Sequence, residues 1–146
     1  MCVSHTIMWF HMTTHIETRL KIDSWDEKPY RELDGGRKFS RANVALSVAE
    51  DGIEARATWD ALLYYAADGT SSYVGLTYID GRLGDRSGSF LMEGTGSYDG
   101  REARGESSVV TGSTTGELDG LRGTARSVST EQDYPFMPLT LDYDVE

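Results

Sequence analysis

Two glutamates and a tyrosine could move a proton within an otherwise apolar setting. Glu93 lies beside Phe90 and Met92, Glu106 sits in a run of small residues, and Tyr65 closes an alternating apolar segment. A carboxylate drawn into an apolar interior has its pKa raised by desolvation and can then act as a general acid or base. The competing description of each glutamate is a solvated side chain on an outer face, where glutamate ordinarily resides. Register decides between them: the alternation puts Glu93 beside the inward face, and a bulge at Gly94 would turn it in. Trp25, Trp59, Leu63, Tyr78, Phe90, Met92 and Tyr98 are the candidate ligand-binding residues. Side chains of these types line mostly apolar cavities in which a few polar groups orient the ligand. Their plainer role is a packed core.

Other chemistries are excluded by residue type. The three histidines, His5, His11 and His15, all lie near the N-terminus, so the body of the chain offers no Ser-His-Asp set. Gly112-Ser113-Thr114-Thr115-Gly116 has the glycines of a nucleophile elbow but the wrong spacing, and no helix follows it. No phosphate loop or dinucleotide fingerprint is present. The single cysteine, Cys2, cannot form an internal disulfide, and no Cys–His spacing suits zinc. Neither a metal nor a cofactor is expected. The net charge of −10 argues against nucleic acid and against an anionic membrane surface as partners. No stretch approaches the roughly 20 apolar residues of a membrane span, and the N-terminus lacks the features of a secretory signal. The expected location is the cytoplasm.

The elements that would position these residues are strands. Residues 53–65 place Ile53, Ala55, Ala57, Trp59, Ala61, Leu63 and Tyr65 on one face. Alanine and leucine in this stretch also favour helix, but the unbroken period of two decides for a strand. Small alanines beside Trp59 suit the interior of a curved sheet or barrel. Further strands are predicted over 17–25, 39–48, 73–79, 87–98, 102–111, 123–130 and 139–145. Pro29 is expected to break the first of them. Turns are predicted at Asp34-Gly35-Gly36, Asp51-Gly52 and Asp68-Gly69, and hairpin turns at Asp80-Gly81 and Asp119-Gly120. The segment 131–138, with Pro135 and Pro138, is expected to cap one end. Residues 1–15 read as a flexible tail, with Met12 as an alternative start to Met1, and 16–146 as a single domain. Eight strands joined by glycine turns make an antiparallel meander, and closure into an all-β, eight-stranded barrel removes its exposed edges.

An ordered series of short motifs adds a resemblance. It comprises Ser24-Trp25-Asp26-Glu27, the glycine turn before Phe39-Ser40-Arg41-Ala42, the Trp59-to-Tyr65 segment and Tyr73-Val74-Gly75-Leu76. It continues through the stretch 81–90, the stretch 112–123 and a closing Leu141-Asp142-Tyr143. The series resembles the bacterial family known as domain of unknown function 3224, over about residues 17–145. That family is similar in fold to the plant allene oxide cyclase barrel, so the resemblance implies a small closed barrel with a ligand cavity along its axis. Its members often carry a Gln-His pair where this chain has Glu93-Gly94, so chemistry resting on that histidine is not open to this chain.

Such a barrel suits reactions that need shape more than reactive groups, because folding an unsaturated chain into a reactive conformer lowers a barrier without a nucleophile. The function expected is therefore a cofactor-free cyclase or isomerase of secondary metabolism, acting on a hydrophobic small molecule. The alternative is a non-catalytic barrel that binds such a ligand. A self-associating barrel without a ligand is the structural reading, and a homodimer is the assembly to consider.

Overall fold

The computed structural model describes residues 13–146. Eight strands run in sequence: β1 (Thr14–Glu32), β2 (Lys38–Glu50), β3 (Ile53–Tyr65), β4 (Ser71–Leu83), β5 (Arg86–Tyr98), β6 (Ala103–Val109), β7 (Leu121–Ser129) and β8 (Phe136–Val145). Each pairs antiparallel with the next, and β8 returns to β1 to complete a closed barrel. Tight turns make this meander possible. The β2–β3 and β4–β5 connections are two residues long, and Gly52 (φ 88°) and Gly84 (φ 62°) supply the left-handed backbone they need. Among the described residues no helix is long and apolar enough to cross a membrane.

Five local expectations are corrected. Pro29 does not end β1, which continues to Glu32 with register shifts between Ile22 and Ser24 and between Pro29 and Arg31. Beyond Lys21 the strand is paired with β2 alone, and such an edge tolerates a residue without an N–H. Asp80-Gly81 is not a turn but lies inside β4, with Gly81 opposite Ala55 and Gly88; the turn falls at Gly84-Asp85. A Cβ on Gly81 would sit 2.2 Å from the Glu54 carbonyl oxygen, so this glycine serves the close approach of β3. Asp119-Gly120 does turn the chain, but at the end of the long 110–120 connection rather than in a tight hairpin. The proline-bearing segment is also shorter than expected, since β8 already begins at Phe136 and Pro138 pairs with Arg19. Thr14 and His15, read as tail, are strand residues paired with Tyr143 and Asp142; the tail reading for 1–12 lies outside the described residues.

One end of the barrel is solid. Ile16, Val48, Ile53, Leu83, Phe90, Leu121 and Leu141 pack there and are buried. The first half of β5 has no partner in β6, whose pairing begins at Met92. The 110–120 connection covers that edge instead: Thr115 N–H donates to Ser89 C=O (2.9 Å) and Val110 N–H to Leu91 C=O (2.8 Å). In return the Ser113 and Thr115 hydroxyls accept from Leu91 and Ser89 N–H. Leu118, from the same connection, is fully buried against this end. An otherwise open strand edge is thereby satisfied and shielded.

Candidate functional site

The other end of the barrel is hollow. A cavity of about 430 Å³ runs down from the rim formed by Gly69, Thr130 and Tyr134 to a floor at Ile79 and Met92. Its origin is an imbalance in side-chain size around the wall. On β2, β3 and β4 the inward positions carry Val44, Leu46, Trp59, Leu63, Tyr65 and Tyr73. Facing them, β5, β6 and β7 offer Gly94, Gly105, Ser107, Ala125, Ser127 and Ser129, too small to fill the space between.

The large side chains are held in place. The Tyr73 ring lies against Gly96, where a Cβ would come within 2.2 Å of it, and its hydroxyl donates to the Arg104 carbonyl at 3.0 Å. Trp59 packs over Gly75 and meets Tyr73 edge-on, with ring centroids 5.3 Å apart. Trp25 continues the row at 5.8 Å from Trp59. Tilted and edge-to-face contacts of this kind suit the aromatic quadrupole.

A single carboxylate locks the row at its outer end. Before the shift at residue 23, β1 turns Ile16, Thr18 and Leu20 inward; after it, Trp25 lies opposite Val44 and Glu27 opposite Ala42. One inserted residue thus transfers a glutamate to the inner face. Its Oε2 accepts from Ser40 Oγ and Tyr65 Oη, each at 2.5 Å, and its Oε1 accepts from Trp25 Nε1 at 2.9 Å. Burial pushes the Glu27 pKa up, but the bonds from Ser40, Tyr65 and Trp25, with the positive charge of Lys38, together hold it below the ordinary carboxylate value. Burial and the Glu27 carboxylate raise Tyr65 to about 12. Near neutral pH the pair is therefore a fixed anion and a fixed hydroxyl donor.

Glu27→Ala should destabilise the fold by about 1–3 kcal/mol, because it leaves the Ser40 hydroxyl, on a residue only 1% exposed, without its acceptor. Urea denaturation measures this. The folded pKa is depressed, so this stabilisation is present above the unfolded value near 4.5 and is lost as pH falls through the folded value. Glu27→Gln should remove that part of the acid sensitivity, and an unaltered acid limb of stability would contradict the assignment.

Of the residues singled out from the sequence, Trp25, Trp59, Leu63, Tyr65, Met92 and Tyr98 line the cavity, and Glu106 borders it from a strand position that alternates outward. Phe90 lies below the floor in the solid end. Tyr78 is on the outer face, 48% exposed, in an apolar patch with Leu62, Val74 and Leu76. Glu93 and Glu106 also point outward. The β5 pairing runs through Gly94 without a bulge, setting Glu93 against Leu76 and Ser108, and Glu106 against Thr95 and Arg126, all on the exposed parity. The alternation turns both carboxylates to the outer face, and the glutamate on the inner face is Glu27. Its sequence signal was faint: no residue type marks the shift at Asp23, and Trp25-Asp26-Glu27 stood out only as part of a family motif.

No curated protein matches the chain. A crystal structure of a protein of unknown function from the DUF3224 family of Shewanella oneidensis MR-1 has the same fold. Its TM-score is 0.73 at 24% identity, over 92% of this chain and 99% of that one. The family model described as "Protein of unknown function (DUF3224)" matches residues 16–143. Carrying that match over almost the whole barrel, the chain belongs to the DUF3224 family.

Proposed function

We propose that this barrel holds a small hydrophobic molecule in its axial cavity. The observation that carries the reading is the cavity itself: about 430 Å³, walled by aromatic and aliphatic side chains on one side and small ones on the other. That volume lies in the range of small-molecule sites, roughly 300–1,000 Å³. A core that merely needed filling would not set Ser107, Ser127 and Gly105 opposite Trp59 and Tyr73.

A second reading, a cofactor-free cyclase or isomerase, is favoured by the rigidity of the aromatic wall. With Glu27 and Tyr65 both far from titrating near neutral pH, such an enzyme would act by confining an unsaturated ligand in one reactive conformer.

Ser127→Phe tests the first reading, since the new ring would occupy the cavity while lying in a strand that tolerates aromatic residues. The neutral probe N-phenyl-1-naphthylamine should bind the wild type with enhanced fluorescence and a one-to-one complex in native mass spectrometry. The variant, with an unchanged circular dichroism spectrum, should lose at least about tenfold in affinity, or roughly 1.4 kcal/mol. Equal binding by both proteins would remove the cavity as the site. Turnover is separated by product handedness: a ligand cyclised inside the barrel gives one enantiomer, and a racemate equal to that formed in buffer leaves only the binding role.

A further inference from the structure

We infer that the ligand of this cavity carries a protonated amine on an apolar body; the inference rests on the ligand-holding reading above and names its chemical class. The first ground is the direction of the hydrogen bonds. Tyr65 Oη–H and Trp25 Nε1–H both donate to Glu27, and Tyr73 Oη–H donates to the Arg104 carbonyl. With these protons committed, Tyr65, Trp25 and Tyr73 offer a ligand oxygen lone pairs and ring faces, and the Trp59 indole N–H is the donor in the row that no described residue engages. A carboxylate or phosphate placed there would find no donor from these three residues, whereas an N–H would find acceptors.

The second ground is the aromatic surface itself. Trp25, Trp59 and Tyr73 form a continuous row, with centroid separations of 5.8 and 5.3 Å, beside Tyr65. Cations are attracted to such faces through the ring quadrupole, most strongly when they are shielded from water. Lys38, which does not line the cavity, already holds its ammonium 5.0 Å from the centroid of the Tyr65 ring.

The third ground is charge. Glu27 sits behind Tyr65 and Trp25 as a fixed anion, offset in part by Lys38. Among the described residues that line the cavity the one basic side chain is Arg126, which the strand alternation turns to the outer face. No basic side chain among the described residues therefore projects into the cavity to receive an acid. The serine hydroxyls of the opposite wall can donate or accept, and so orient a ligand without selecting its charge.

The test compares three probes of one shape: 1-naphthylmethylamine, 1-naphthalenemethanol and 1-naphthoate, titrated calorimetrically at pH 7 in about 0.15 M salt, where long-range surface attraction is screened. The amine should bind the wild type about tenfold more tightly than the alcohol, with naphthoate weakest. Glu27→Gln should lower the amine-to-alcohol ratio by removing the anion while the ring faces remain, and Ser127→Phe should weaken all three. Equal affinities, or naphthoate tightest, would overturn the amine assignment while leaving the cavity as a binding site. Amine binding that survives in Ser127→Phe would also overturn it, as attraction to the acidic surface. If none of the three binds the wild type, the amine assignment and the ligand-holding reading fall together. The wild-type comparison decides even if a variant does not fold.

Discussion

Gly94→Val is expected to unfold the barrel or to weaken it by about 3 kcal/mol or more, at the upper end of overpacking losses. Gly94 points inward on β5, where it faces Gly75 on β4 and Ser107 on β6. A Cβ there would lie 2.2 Å from the Glu106 carbonyl oxygen and 2.9 Å from the Ser107 Cα. Those are backbone atoms, so no rotamer change relieves the clash; β6 would have to move away from β5. Gly105→Ala is the matched control. It also points inward, but its Cβ would meet nothing nearer than the Tyr73 hydroxyl at 3.5 Å. Alanine there should change stability by no more than about 1 kcal/mol, and its reduced unfolded-state entropy favours the folded chain. Guanidinium midpoints of the two variants compare the effects directly. A Gly94→Val protein as stable as the wild type would show that the β5–β6 contact is slack.

Phe90→Ala should cost about 3–5 kcal/mol, the usual loss for deleting a buried phenylalanine ring. Phe90 is 1% exposed and packs beneath the cavity floor in the solid end of the barrel. Ile79 lies directly opposite on β4 and is itself buried, so the hole cannot collapse easily. The loss should appear as a lower midpoint with an unchanged denaturant slope. A loss below about 1 kcal/mol would mean that the solid end can repack. In contrast with the cavity above it, this end is filled by buried side chains.

The barrel was legible from the period of two. It ran through 39–48 and again through 53–65, and the Asp51-Gly52 and Asp68-Gly69 turns fell where the chain reverses. Once that register is known, Trp59, Leu63 and Tyr65 must share the interior. The same rule sends Glu93 outward, since it follows Met92 on a strand with no bulge at Gly94. What the residues concealed was the one-residue shift at Asp23, which depends on how β1 leaves β8 and continues along β2 alone. A shift of that kind reverses the facing of everything after it, so Glu27 looked like part of a polar break around Pro29. Gly81 misled for a different reason. Asp-Gly has the composition of a turn, but here glycine answers to a neighbouring strand 2.2 Å from where its Cβ would be. Composition does not distinguish those two demands; the pairing partner does.

The circular order of the sheet also bears on how the chain reaches this state. Seven of its pairings join strands that follow one another, and only β1 with β8 joins distant parts, as in His15 with Asp142. The local hairpins can form without a long search, whereas the final link must overcome the entropy of closing nearly the entire chain into a loop. Ring closure is thus the pairing that the topology makes most costly in chain entropy, and the hollow end has no complete wall until it happens. A molecule that fits only the finished ring binds after that step. If the cavity holds a ligand as proposed, mass action would disfavour the reopening of β1 from β8, and occupancy would stabilise the closed ring.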